Sequence, residues 1–74
     1  MTEIKLLSVV AVLEEKPQIG LLRGQIGTVV ECLAQGVFEV EFSDESGQTY
    51  ASLALRADQL MRLHYAPAPT HQAA

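Results

Sequence analysis

Residues 37–42, with the sequence VFEVEF, alternate apolar and other side chains more strictly than any other stretch of the chain. Successive side chains of a β-strand point to opposite faces, so this pattern predicts a strand with one buried and one solvated face. The core side is predicted to carry Phe38, Val40 and Phe42, and the other side Val37, Glu39 and Glu41.

Other short runs rich in β-branched and apolar residues predict further strands around this one. They are residues 8–13, 25–33, 49–55 and a closing strand at 60–65. The segment AQG at residues 34–36 is a tight hairpin, and SDESGQ forms the next turn. The segment RADQ, before the last strand, predicts a single helical turn of the 3₁₀ kind.

Residues 14–23 break the strand pattern because Pro17 cannot donate to a ladder and Gly20 permits unusual backbone angles. We expect one long loop, folded back on the sheet by Ile19, Leu21 and Leu22. Gly27, inside the second strand, indicates either a β-bulge or a close approach of another chain segment.

With 74 residues the chain is predicted to form one domain. Five short strands with a long first loop describe an all-β fold, a small five-stranded SH3-like barrel spanning residues 1–65. Rolling the sheet on itself gives a short chain one shared core and few free edges. Residues 66–74 carry two prolines and no large apolar residue, which predicts a flexible, disordered tail.

The formal net charge of −4 argues against an extended basic surface for nucleic acid and favours basic partner surfaces. Cys32 is the single cysteine, so no disulfide forms within the chain, as suits a reducing compartment. The apolar run at residues 6–13 lacks the features of a signal peptide and is too short to span a bilayer. We expect a cytoplasmic protein.

The segments SVVAVLEEKP, GLLRGQIGTVVE, GVFEVEF, GQTYASLAL, ADQL and MRLHY follow one another in the chain. In this order they resemble the bacterial domain-of-unknown-function family 4926, over residues 5–65. Ser8 stands where an Asp is common in that family. The resemblance implies a small SH3-like barrel, an uncharacterised activity, and a role as half of a two-gene module such as an antitoxin or immunity factor.

The strand start GxxGTV at Gly24 is also similar to KOW elements, which bind RNA. It is similar, in addition, to the SH3-like part of the nitrile hydratase β subunit, which supports a partner subunit. These two similarities imply different partners. Both are kept as alternatives.

The long first loop and one strand face hold the candidate partner-binding residues. Leu21 and Leu22 either cover an open end of the barrel or form an exposed contact site, with Arg23 next to them. Tyr50 and Tyr65 either line a groove or belong to the core. Three carboxylates, of Glu31, Glu39 and Glu41, form either a solvated face or an acidic ridge for a basic partner.

Isolated titratable residues give no catalytic or metal motif. Cys32 follows Glu31, which disfavours the thiolate, so it is interpreted as an apolar filler. His64 and His71 have no ligand spacing for zinc, and the turn with Asp44 lacks a complete calcium loop. Asp58 is assigned to the helical turn. We expect no cofactor, no metal and no catalytic residue.

Three functional hypotheses follow. The first is a non-enzymatic module that binds another protein, such as the product of a neighbouring gene, or a second copy of itself. The alternative is a KOW-like RNA-binding or ribonucleoprotein accessory domain that uses Arg23, Arg56 and Arg62. The third hypothesis is an enzyme, which no sequence motif supports.

Overall fold

The computed structural model describes residues 3–68, which are all-β apart from two 3₁₀ turns. The predicted all-β class, the five strands and the 3₁₀ turn before the last strand are confirmed. Of the predicted tail, residues 66–74, the part from residue 69 onward lies outside the described residues. The elements are β1 (Val9–Val12), a first 3₁₀ turn (Pro17–Ile19), β2 (Ile26–Ala34), β3 (Val37–Ser43), β4 (Thr49–Arg56), a second 3₁₀ turn (Ala57–Gln59) and β5 (Leu60–Arg62).

The five strands form one antiparallel sheet in the order β4-β3-β2-β1-β5. β2 is the longest strand, and it pairs with β1 near its start and with β3 along most of its length. Within residues 3–68 no pairing joins β4 to β5, so the barrel is not closed. The expectation of few free edges is therefore corrected, because both terminal strands of the sheet keep an open side.

The core lies on one face of the sheet, here called the inner face, where the alternation of β3 places its apolar side chains. Phe38, Val40 and Phe42 are buried there, as predicted, and their neighbours in the ladder are apolar as well. Of the long first loop, Leu21 alone completes this core, since Ile19 and Leu22 are exposed. The core cluster consists of Val10, Val12, Leu21, Val29, Phe38, Val40, Phe42, Leu55 and Leu60.

Gly27 marks a close approach and not a bulge. It lies opposite Phe42 in the ladder, and a Cβ atom there would stand 2.7 Å from Val40 Cγ1 and 2.8 Å from the Phe42 ring. The irregularities of β2 come later, where the register skips Val30 and Leu33. These two residues are extra in the ladder and both are exposed.

Gln59 ties the second 3₁₀ turn to the first strand. Its side-chain oxygen accepts from the Arg56 N–H at 2.8 Å, and its amide nitrogen donates to Glu14 at 3.1 Å. Its carbonyl accepts from the Leu13 N–H at 2.9 Å. A buried polar side chain needs such partners, so this network fixes where β5 begins.

Candidate functional site

An open groove lies between the end of the first loop and the β3–β4 turn. One wall carries Leu22, Arg23 and Ile26, and Tyr50 and the turn form the other. Leu22 is 59% exposed and Ile26 57%, although both are large and apolar. Exposed apolar side chains grouped in a groove are typical of a contact site for a partner.

The local sequence explains why only one of two adjacent leucines reaches the groove. Lys16 and Leu21 form an isolated antiparallel bridge, with hydrogen bonds of 2.8 and 3.1 Å between their backbones. Between them the chain reverses through Pro17–Ile19 and Gly20, whose φ of 79° favours glycine. This bridge directs Leu21 into the core and presents Leu22 outward.

Leu21 therefore requires a correction. It was predicted as a contact residue, but it is fully buried and has no surface to offer a partner. Its alternative interpretation, as a lid on the core, is the one that the structure gives. Leu22 and Arg23, by contrast, stand together at the groove.

Tyr50 reaches the groove because it is the extra residue of an irregular step in the ladder. The register passes from Phe42↔Ala51 to Ser43↔Thr49 and leaves Tyr50 without a partner. Its hydroxyl accepts from Gln25 Nε2 at 2.5 Å, and its ring packs on Phe42 with centroids 6.4 Å apart. These contacts hold one edge of the ring in a fixed position at the groove surface.

The turn that forms the other wall is organised by one carboxylate. Asp44 Oδ1 accepts from the Ser46 N–H at 3.0 Å, the Ser46 hydroxyl at 2.9 Å and the Gln48 N–H at 2.9 Å. The hydrogen bond from the Gln48 backbone, followed by that from the Ser46 side chain, lowers the pKa of Asp44 below its ordinary value. The adjacent Glu45 also lines the groove.

The three predicted carboxylates do lie on one face, the outer face of the sheet opposite the core. Glu31 is directly opposite Glu39 in the ladder, and Glu41 follows on the same side of β3. The Ser52 hydroxyl donates to Glu39 at 2.7 Å. Within residues 3–68 the single ion pair is Arg56–Asp58 at 3.0 Å, so these like charges have no cation of their own there.

An apolar row on the outer face was not found from the sequence. Ala11 pairs with Met61 on one side and with Ile26 on the other, which puts the three side chains side by side. Met61 and Ile26 are both more than half exposed, and Ala11 is buried between them. The row leads through Ile26 into the groove, and only the strand register brings it together.

Tyr65 is not part of the groove. It is 88% exposed and borders a separate hollow formed by residues 5–9 and 62–66. Leu7 lies in the same hollow, with a φ of 70° that is rare for a leucine, and its N–H donates to the Val29 carbonyl at 2.8 Å. Tyr50 and Tyr65 are thus on different surfaces.

The three arginines of the RNA hypothesis do not form one patch. Arg23 is at the groove, near the last residue of β3. Arg56 pairs with Val37, the first residue of β3. The two ends of this strand are on the order of 20 Å apart. Arg56 binds Asp58, and Arg62 donates to the Glu3 carbonyl at 2.9 Å. The positive charges are therefore dispersed over the surface.

Cys32 is exposed and unpaired with any other cysteine, so the interpretation as an apolar filler is wrong. It follows the first irregular step of β2, which carries it to the end of the inner face, opposite Phe38. No group of three His, Cys, Asp or Glu side chains in the described part of the chain is placed to hold a metal ion. His71 lies outside the described residues.

The family model described as Domain of unknown function (DUF4926) matches residues 6–62. No curated protein and no solved structure matches the chain significantly. Within residues 3–68 there is no helix long and apolar enough to cross a membrane.

Proposed function

The chain belongs to the DUF4926 family of domains of unknown function, and we propose that this member is a non-enzymatic module that binds another protein through the groove and the adjoining apolar row. The observation that carries the proposal is the grouping of exposed apolar side chains at one place. Leu22, Ile26 and Tyr50 line the groove, and Ile26 continues into the row with Ala11 and Met61.

The chemistry of the groove favours a protein segment as its occupant. Arg23 stands on one wall, and Glu45 with the ordered Asp44 turn stands on the other, so charges of both signs flank apolar side chains. Interfaces between proteins have this composition, with an apolar centre and a polar rim. Tyr50 adds an aromatic side chain that its contacts with Gln25 and Phe42 already hold in place. Such a side chain loses little conformational entropy when a partner binds it.

The acidic face adds a preference for basic partners. Glu39 and Glu41 lie on β3, the last residue of which, Ser43, lines the groove, and Glu31 extends the set onto β2. Such a charge distribution accelerates the approach of a positively charged surface and repels polyanions. A partner with an apolar anchor beside basic residues fits both surfaces.

The environment of the titratable groups supports the non-enzymatic part of the proposal. The carboxylate with a shifted pKa, Asp44, uses its hydrogen bonds to close a turn at the surface. A catalytic acid or base is usually tuned by burial or by a neighbouring charge in a cleft. The lone cysteine and the family resemblance support two further parts of the proposal. The protein would act in the bacterial cytoplasm. It would be the partner, antitoxin or immunity half of a two-gene module.

The test compares two exposed leucines with nearly the same accessibility. Leu22→Asp puts a charge into the groove, and Leu6→Asp puts the same charge on a surface outside it, where the leucine is 55% exposed. Each variant is co-expressed with the product of the neighbouring gene and purified through a tag. We expect Leu22→Asp to lose the partner and Leu6→Asp to retain it.

Loss of the complex in both variants, or in neither, would contradict a groove-centred contact. Circular dichroism of both variants verifies that the fold is retained. A growth-rescue assay with the same pair of variants decides whether the partner is a toxin.

A further inference from the structure

The strand β4 is a long, open edge of the sheet. Among residues 3–68 its ladder partner is β3 alone, so the N–H and C=O groups that point to the other side have no strand to bind. Its eight residues extend over about 26 Å. An edge of this length is a template for pairing with another strand.

β4 also lacks the features that protect sheet edges. Residues 51–55 include no proline and no charged side chain, and Arg56 is the first charge along the strand. Proteins usually blunt an edge with lysine, proline, a bulge or a short strand. The other edge strand, β5, is protected because it has only three residues. β4 has one irregular step, at Tyr50 near its start, and the rest of the strand is regular.

We propose that β4 pairs antiparallel with β4 of a second copy of this chain, around a two-fold axis near Leu53, to form a continuous ten-stranded sheet. Tyr50, at the start of β4, also lines the groove. The inference rests on the open strand edge and not on what the groove binds, so it does not depend on the proposed function. Symmetric pairing of one edge with itself gives a closed dimer and leaves no further β4 edge open.

The side chains of β4 suit this self-pairing. On the inner face Leu53 is partly buried against the core, and the axis would set it against the Leu53 of the second copy. On the outer face Ser52 and Ala54 are small and exposed, so they offer no steric barrier to a neighbouring strand. Pairing would therefore cover apolar surface on one face without burying a charge on the other.

The charges at the two ends of β4 explain why a second copy is the occupant. Arg56 ends the strand, where its side chain binds Asp58 at 3.0 Å and stays 61% exposed, and the turn with Asp44 and Glu45 precedes the strand. In an antiparallel dimer each Arg56 comes to the end of the partner strand that adjoins the acidic turn. A parallel arrangement would set like charges together, so the ends are complementary only in the two-fold antiparallel dimer.

The test uses two lysine substitutions on the outer face, one on the edge strand and one on a strand inside the sheet. Ala54→Lys places a lysine on the edge strand, opposite Glu39, and Thr28→Lys places one on β2, opposite Glu41. Both add the same charge to the outer face beside a carboxylate, so both variants should fold. Only the first sets a lysine close to its symmetry mate across the proposed axis.

Sedimentation velocity of the full chain, from about 10 µM to about 500 µM, measures the fraction of dimer, which rises with concentration by mass action. We expect the unmodified protein and Thr28→Lys to dimerise alike, and Ala54→Lys to dimerise at least about tenfold more weakly. Amide exchange should show protection of β4 that grows with concentration and is absent in Ala54→Lys.

A monomer throughout this range, or a dimer that withstands Ala54→Lys, would overturn the proposal. Leu22→Asp separates it from the groove hypothesis, since that variant should lose the other protein and keep the dimer. A dimer lost in Leu22→Asp but kept in Ala54→Lys would assign self-association to the groove instead.

Discussion

Single residues set the tightest constraints on this sheet. Gly27 lets β2 lie directly against two fully buried side chains of β3, Val40 and Phe42. A small core filled mainly by valines and leucines packs densely and has little space to absorb another methyl group. The identity of this one residue therefore decides how closely β2 approaches the core.

We predict that Gly27→Ala lowers the free energy of unfolding by about 1–3 kcal/mol, because the new methyl group would overlap the Val40 and Phe42 side chains. Urea denaturation followed by circular dichroism measures the change. Val40→Ala removes the closest atom, so in a double-mutant cycle the cost of Gly27→Ala should shrink when Val40→Ala is present. Strictly additive costs would show that crowding is not the cause.

At the level of elements, the connections determine what the sheet presents. The bridge between Lys16 and Leu21 turns the first loop so that Leu22 and Arg23 face the groove. On the opposite wall the Asp44 carboxylate accepts three hydrogen bonds and closes the β3–β4 turn. The groove is thus formed by two ordered connections rather than by strand side chains alone.

We predict that the β3–β4 turn makes stability depend on pH through Asp44. Its pKa is lowered in the folded state from the ordinary 3.8, so the ionised form stabilises the fold above pH 3.8, and this contribution is lost as pH falls below that value. Asp44→Asn keeps an acceptor oxygen but cannot ionise. The stability difference between the two proteins should therefore diminish on acidification.

Urea unfolding at a series of pH values, for both proteins side by side, measures this difference. The two proteins are otherwise identical, so the comparison isolates the contribution of Asp44. A difference that stays constant through pH 3.8 would show that the charge of Asp44 contributes nothing to the turn.

For the whole molecule, one core must stabilise every element. A chain of this size has a free energy of unfolding of roughly 4–11 kcal/mol. Leu21 comes from the loop, yet it belongs to the same cluster as the strand residues Val10 and Phe42. Loop and sheet are therefore expected to unfold in one cooperative transition.

We predict that Leu21→Ala lowers the free energy of unfolding by about 2–5 kcal/mol, a large share of the total, because it leaves a cavity in that core. The neighbour Leu22 provides the matched control: Leu22→Ala should change stability by less than about 0.5 kcal/mol, since its side chain is exposed. Chemical denaturation of the two variants measures both values. Equal costs would contradict the inward orientation of Leu21.

The sequence by itself determined the strands, the hairpins, the 3₁₀ turn and the core face of β3, because these follow from local periodicity and turn chemistry. It also identified Leu22, Arg23 and Tyr50, which the structure brings to one groove. Only the tertiary structure decided which of two adjacent leucines is buried, that Met61, Ala11 and Ile26 form a row, and that β4 has one ladder partner among residues 3–68. These features depend on the register between strands distant in sequence and on a bridge across a loop, which no local pattern encodes.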